Sequence, residues 1–390
     1  MSSPIIVTEK TNLRPTWAEV SLGQLRANFR VLRDRVAPVT VCAVVKAHAY
    51  GHGAVECAYA LEQEGAAWFG VTSTDEGLAL RHGGIRGRVL LMTGFWRGDE
   101  SFILEHDLTP AVWTSDHIDS LESAAQKLRK NVAVHLKVDT GMARLGASSA
   151  DLHRLLSRIR ASSRLRLEGV FTHLASAEIT DAPDVDAQAV CFERALAEVR
   201  NAGFAPEYVH MANTSGMATR RSFWKDMVRP GLALYGYNLD YVSKNGGTPD
   251  TSLTLPVAPV LSWKTCIFNL REVPAGQAIG YGGAYVTRRP ARIAALPVGY
   301  ADGLRRNLSS CGQVIIRGEY APMVGNISMD ITLVDVSAIP GVAIGDEAII
   351  IGSAGERRIT AWDHARLAQT IPYEILCNVS KRVPRQYVTT

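Results

Sequence analysis

With 390 residues and 47% hydrophobic composition, the chain can bury a large core and exceeds the usual size of one compact unit, so two domains are expected. Its 42 basic and 38 acidic residues leave a net charge of +4 without a long basic block, which argues against nucleic acid as a partner. No stretch approaches the roughly 20 apolar residues of a membrane span, and the apolar patch at residues 4–7 is too short for a secretory core, so a cytoplasmic protein without membrane contact is expected.

In chain order, Leu22, Leu25, Phe29 and Leu32 recur at helical spacing, residues 41–45 read as a buried strand, 54–63 as a helix and 68–71 as a strand. The alternation continues with helices at 76–82, 116–128, 152–159 and 187–202 and strands at 89–92, 132–138, 167–171 and 208–211. Such repeats predict parallel strands covered by helices. Their number favours a closed (β/α)8 TIM-type barrel, assigned to residues 12–244, over an open doubly wound sheet. Beyond Tyr237 helical periodicity fades into polar, glycine-rich sequence, followed by expected strands at 257–261, 291–296, 313–316, 331–336 and 347–351. A mostly antiparallel C-terminal β domain is therefore predicted over residues 245–390. One helix is expected there, at 361–369 with Thr360 as N-cap, and the segment 1–11 is a candidate additional strand.

Lys46 follows an apolar run and precedes the turn Ala47-His48-Ala49-Tyr50-Gly51, which puts an amine at the C-terminal end of a barrel strand. A partly desolvated lysine there can attack a carbonyl and form a Schiff base; an ordinary surface or salt-bridged lysine is the plainer reading. Lys137 sits inside the apolar alternation His135-Leu136-Lys137-Val138, where it either meets an anionic partner or snorkels from the barrel exterior. Phe171-Thr172-His173 and Tyr208-Val209-His210 each end an apolar run in histidine, with a hydrogen-bonded structural role as the alternative. Asn213-Thr214-Ser215-Gly216 and Val228-Arg229-Pro230-Gly231-Leu232 offer hydroxyls, backbone amides and one fixed cation suited to a phosphate, although each is also an ordinary turn. A metal site is not expected: His48 and His52 lie beside glycines unsuited to a regular helix, and neither a CxxC pair nor H-E-x-x-H occurs. No G-x-G-x-x-G loop marks a nicotinamide site. The six dispersed cysteines suggest buried free thiols in a reducing compartment.

Taken together these segments resemble the alanine racemase family. The resemblance rests on seven ordered stretches: Val44 to Gly53, Lys137-Val138-Asp139-Thr140-Gly141-Met142-Ala143-Arg144, Arg229-Pro230-Gly231, Gly280-Tyr281-Gly282-Gly283, Gly299-Tyr300-Ala301-Asp302-Gly303, Asn326-Ile327-Ser328-Met329-Asp330, and Tyr373-Glu374 with Arg382-Val383-Pro384-Arg385. It implies a pyridoxal 5'-phosphate enzyme acting as a head-to-tail homodimer on a small amino acid. In the resemblance Lys46 binds the cofactor covalently and serves as one base, and Tyr281 of the other subunit is the opposite base. Arg144, His173 and a carbamylated Lys137 support them. Tyr50, Thr214, Ser215, Gly231, Leu232 and Tyr373 match the phosphate side, Arg229 faces the pyridine nitrogen, and Arg144, Met329 and Tyr300 match substrate-contacting positions.

Three positions depart from the family pattern: His48 and Asn326 replace a common asparagine and a common arginine, and Ser328 stands where cysteine is frequent. The activity implied is reversible interconversion of L- and D-alanine by two bases. A broader amino-acid racemase, for example one acting on serine, and a catalytically silent cofactor carrier are the alternatives. An amino-acid decarboxylase is disfavoured, since that chemistry needs no base on each face.

Overall fold

A computed structural model describes residues 14–389 of the chain; the strand expected within 1–11 lies outside them. The chain divides into two compact units, one built from Leu25–Ala49 and Gly53–Ala258, the other from the segment up to Gln24, Tyr50–His52 and the chain from Pro259 onward.

Strand β1 (Thr16–Ser21) belongs to the second unit. The first unit holds eight parallel strands: β2 (Thr40–Val44), β3 (Trp68–Val71), β4 (Arg88–Leu91), β5 (Leu108–Val112), β6 (Val132–Lys137), β7 (Leu165–Phe171), β8 (Tyr208–His210) and β9 (Met227–Val228). They pair in the order β8-β7-β6-β5-β4-β3-β2-β9. The ring closes where Asp226 N–H donates to the Val209 carbonyl at 3.0 Å and Arg229 N–H to the Ala212 carbonyl at 2.9 Å, bracketing β8 and β9. The predicted barrel is thus present.

Helices cover it with one apolar stripe each. Ser115–Leu128 buries Ile118, Leu121 and Ala125, and Ser149–Ala161 buries Leu152, Leu155, Leu156 and Ile159. Each such leucine or isoleucine contributes roughly 1.5–3 kcal/mol relative to exposure. Both helices start at hydroxyl caps, Thr114 accepting from His117 N–H and Ser148 from Asp151 N–H.

The second unit is mostly antiparallel. Its larger sheet places β1 between Leu261–Cys266, antiparallel, and Arg385–Val388, parallel. A three-stranded sheet orders Asn269–Val273, Ala291–Leu296 and Thr332–Asp335. Thr360 caps the helix Ala361–Leu367 as expected: its hydroxyl accepts from Asp363 N–H, and Asp363 Oδ2 accepts from Thr360 N–H at 2.7 Å.

Several expectations shift. The strand anticipated at 257–261 forms at Leu261–Cys266, because Pro256 and Pro259 cannot donate to a ladder and the true alternation starts after them. A second helix, Pro372–Asn378, opens with proline at its first position, where the missing N–H costs nothing. In the barrel, the short helix Glu100–Glu105, the proline-bearing β5 and the two-residue β9 carried too little pattern to be anticipated.

Candidate active site

Lys46 lies two residues beyond β2, half-buried. The backbone after it coils left-handed: Ala47, His48, Ala49 and Tyr50 have φ of 52°, 56°, 54° and 53°. A left-handed conformation costs an L-residue with a side chain roughly 1–2 kcal/mol, so neighbouring structure must impose the turn. Glu76 does much of this, since its Oε1 accepts Ala47 N–H at 2.6 Å while Oε2 accepts the Thr72 amide and hydroxyl at 2.8 and 2.9 Å. The glycines argued against a regular helix here; non-glycine residues in fact carry the left-handed turn, and it presents His48 as an exposed side chain.

Lys137 is 4% exposed, which removes the exterior alternative. Its Nζ donates to the Met92 carbonyl at 3.2 Å and lies 5.3 Å from the Phe171 ring centroid and 5.9 Å from that of Trp113. Burial, and then the positive charges of Arg229, Arg144 and Lys46, pull its ammonium down to about 8. Lys137, Arg144 and His173 line one narrow cleft with Asp139 and Thr172. His173 is held well below its ordinary range by burial and by the same cations. The strand ends therefore gather positive charge that favours an anion.

Arg229 is buried and still cationic at neutral pH, although desolvation lowers it to about 10. Its Nη1 donates to His210 Nδ1 at 2.8 Å; its Nη2 donates to the Thr172 carbonyl at 2.7 Å and lies 3.3 Å from His173 Nδ1 and 3.4 Å from the Met211 carbonyl. None of these partners is a carboxylate, and the guanidinium has donors left for a further acceptor. Next to it Thr214 Oγ1 accepts Gly231 N–H at 3.0 Å, joining the short helix Thr214–Thr219 to the 3-10 helix Leu232–Tyr235. Thr214, Ser215 and Leu232 are all buried in this wall.

The second unit holds the remaining expected residues. Tyr50 and Tyr373 meet with ring centroids 5.9 Å apart. Gly51 permits that approach: at φ 84° a Cβ would stand 2.3 Å from the Leu376 carbonyl oxygen. Arg385 Nε adds a bond to the Gly51 carbonyl at 2.9 Å. Tyr281 opens the turn Tyr281–Gly283 and is 75% exposed. Tyr300 and Met329 also face outward and are joined through backbone, Tyr300 N–H donating to the Ser328 carbonyl and Ala301 N–H to that of Met329, at 3.0 and 3.1 Å. Ser328 shapes this loop by accepting Ile331 N–H at 3.0 Å and donating to its carbonyl at 2.9 Å.

Other residues of the matched stretches are braces. Asp302 takes both Arg14 guanidinium nitrogens at 2.6 and 2.7 Å, Glu374 takes two from Arg305 at 2.7 and 3.0 Å, and Arg382 binds Asp330 at 2.6 Å. Sequence reasoning missed Glu76 and the buried Glu168 of β7; a carboxylate within the apolar run of β7 was the available signal for the latter. Among the described residues no cluster of three or more His, Cys, Asp or Glu could hold a metal, and no helix is long and apolar enough to cross a membrane.

Comparison with known proteins matches two family models in tandem: alanine racemase N-terminal domain over residues 20–239 and alanine racemase C-terminal domain over residues 260–387. The alanine racemase of Symbiobacterium thermophilum is 41% identical over 375 residues, covering 96% of this chain and 97% of that protein. The alanine racemase of Halothermothrix orenii is 38% identical with the same coverage. Among solved structures, the alanine racemase of D-cycloserine-producing Streptomyces lavendulae superposes with a TM-score of 0.88 at 35% identity, covering 97% of this chain and 98% of that one. The alanine racemase of Bartonella henselae with covalently bound pyridoxal phosphate gives 0.83 at 31% identity, covering 96% and 99%.

Proposed function

The chain belongs to the alanine racemase family, and on that premise we propose that the protein interconverts L- and D-alanine with pyridoxal 5'-phosphate, using one base on each face of the substrate carbon. The observation that supports this most is the set of groups at the barrel strand ends. A half-buried lysine, a buried guanidinium bonded to neutral acceptors and a wall of small hydroxyl residues suit an aldehyde, a pyridine nitrogen and a phosphate respectively.

When bound, pyridoxal phosphate supplies the conjugated ring that accepts the electron pair left as the substrate Cα–H bond breaks. Lys46 holds the cofactor and moves the proton on one face of Cα, the one removed from D-alanine. Tyr281, from a second copy of the chain, moves the proton removed from the L isomer. Two bases are the direct solution, since one would have to cross the plane between removal and return. Arg144 stabilises the tyrosine oxygen when it is deprotonated, and a carbamylated Lys137 supplies the anion that orients Arg144. Thr214, Ser215, Gly231 and Leu232 seat the phosphate from the barrel unit. Arg229 donates and does not readily give up a proton, so it would keep a ring nitrogen beside it neutral and moderate the electron withdrawal that the ring would supply. That restraint limits side reactions at the same carbon.

The proposed assembly is a head-to-tail homodimer. Exposed Tyr281, Tyr300 and Met329 suit burial against a second copy, and the free cysteines suit a reducing cytoplasm, although only Cys42 and Cys57 are buried as expected while Cys311 and Cys377 are exposed. Large side chains at positions 281, 300, 329 and 373 favour a methyl substituent over longer ones. Turnover of alanine, serine, lysine and arginine tests this: alanine should lead, with serine next. Faster turnover of a long cationic substrate would overturn the alanine assignment.

A further inference from the structure

Glu168 lies within β7, fully buried, and takes no part in the chemistry above. A carboxylate there needs strong compensation. Arg88 Nη2 donates to its Oε2 at 2.6 Å and Arg166 donates to its Oε1. Its third neighbour leads inward. His135 Nε2 stands 3.5 Å from Glu168 Oε2, an ion-pair separation without a hydrogen bond in this structure, His135 Nδ1 stands 2.9 Å from His210 Nε2, and His210 Nδ1 receives Arg229 Nη1 at 2.8 Å.

The direction of this chain follows from its ends. A guanidinium only donates, so His210 Nδ1 accepts and its proton sits on Nε2. That proton can go only to His135 Nδ1, which places the His135 proton on Nε2, facing a carboxylate that only accepts. Burial together with Arg229 keeps His210 neutral, and burial keeps His135 neutral against the opposing pull of Glu168.

The barrel is shaped for these rings. A Cβ at Gly169 would stand 2.5 Å from His135 Nδ1, and the β6–β7 register shifts between Val134 and His135. Phe171 stacks on His210 with centroids 4.7 Å apart and planes at 2°.

We propose that Glu168, acting through His135 and His210, is a positioning residue for Arg229: the relay fixes both imidazoles as Nε2–H tautomers and holds the guanidinium in one orientation toward the cofactor ring nitrogen. This rests on Arg229 facing that nitrogen. The competing role for Glu168 is a plain ion pair with Arg88 and Arg166.

Nitrogen-15 NMR of the histidine rings, with and without bound cofactor, tests the relay together with two variants. The wild-type protein should show Nε2–H at both histidines in either state. H135F, which leaves Glu168 its two arginines, should deprive the His210 Nε2–H of its acceptor, move that nitrogen's resonance and shift the visible absorbance of the holoenzyme. E168Q, whose amide donates as well as accepts, should mix tautomers and lower kcat about tenfold while changing the alanine KM by less than about twofold, in line with the loss of a ligand-orienting partner. E168D should restore part of the loss. An Nδ1–H tautomer at either wild-type histidine overturns the relay; so do variants that melt lower yet keep wild-type tautomers, spectrum and kcat. A wild-type protein that forms no racemised product would instead count against the functional reading, and the cofactor-free tautomers would still decide the relay.

Discussion

The side-chain amide of Asn326 donates to the Tyr281 carbonyl at 2.8 Å, so the residue that departs from the family's usual arginine holds the backbone of the tyrosine assigned as a base. The substitution therefore gives Asn326 a local task at the turn Tyr281–Gly283. Asn326→Ala should remove about 1 kcal/mol of positioning, slowing turnover about fivefold with little change in cofactor retention. With Tyr281 as the proposed base for the L isomer, solvent exchange of the L-alanine α-proton should fall more than that of D-alanine. Equal loss for both isomers would contradict this role.

Glu76 should be needed for the left-handed turn after Lys46. Glu76→Gln turns one accepting oxygen into a donor facing the Ala47 or Thr72 N–H, a conflict costing about 1–3 kcal/mol. Urea unfolding should show that loss, and cofactor release on dialysis should quicken. Unchanged release would mean that the turn is held without this carboxylate.

Lys137 should take up carbon dioxide. The neutral amine is the nucleophile, and with Lys137 lowered to about 8 its neutral fraction is about a tenth at pH 7 and the majority by pH 9. Mass spectrometry of the intact protein in bicarbonate should show a one-carbon-dioxide adduct that grows over this range and vanishes in Lys137→Ala. An adduct-free protein that keeps full activity would exclude the carbamate role.

His364 should make the fold acid-sensitive. It is buried, its Nε2 has no hydrogen-bond partner among the described residues, and burial lowers it to about 4 against Asp363, which favours the charged form. The unfolded chain, with histidine near its ordinary 6.5, takes the proton first as pH falls. This contribution to stability is complete above that value and is lost between about pH 6.5 and pH 4, at up to about 1.4 kcal/mol per pH unit. His364→Leu should flatten the slope in that window, measured by urea midpoints. A slope unaltered by the substitution would assign the sensitivity to other groups.

The barrel was legible because its longer strands are uninterrupted apolar runs separated by helices with one apolar stripe; Trp68–Val71 and Ala54–Gln63 fall at the expected bounds. The closing strand β9 was not, since two residues carry no period and closure depends on backbone bonds at Asp226 and Arg229. Lys46, Lys137 and Arg229 stood out as charge placed against apolar surroundings. Their partners did not. Periodicity tells which face a residue takes, but not that β6, β7 and β8 bring Glu168, His135 and His210 into one line. Nor does it reveal a left-handed turn built from alanine, histidine and tyrosine, because the carboxylate that receives the Ala47 N–H, Glu76, is distant in sequence.

The division of labour between Lys46 and Tyr281 is tested most directly by α-proton exchange in deuterated water with Tyr281→Phe. With Lys46 intact, D-alanine should still exchange its α-proton, while L-alanine exchange and racemisation are lost. Exchange of the L-alanine proton at the wild-type rate in that variant would contradict the assignment of a separate base to each face.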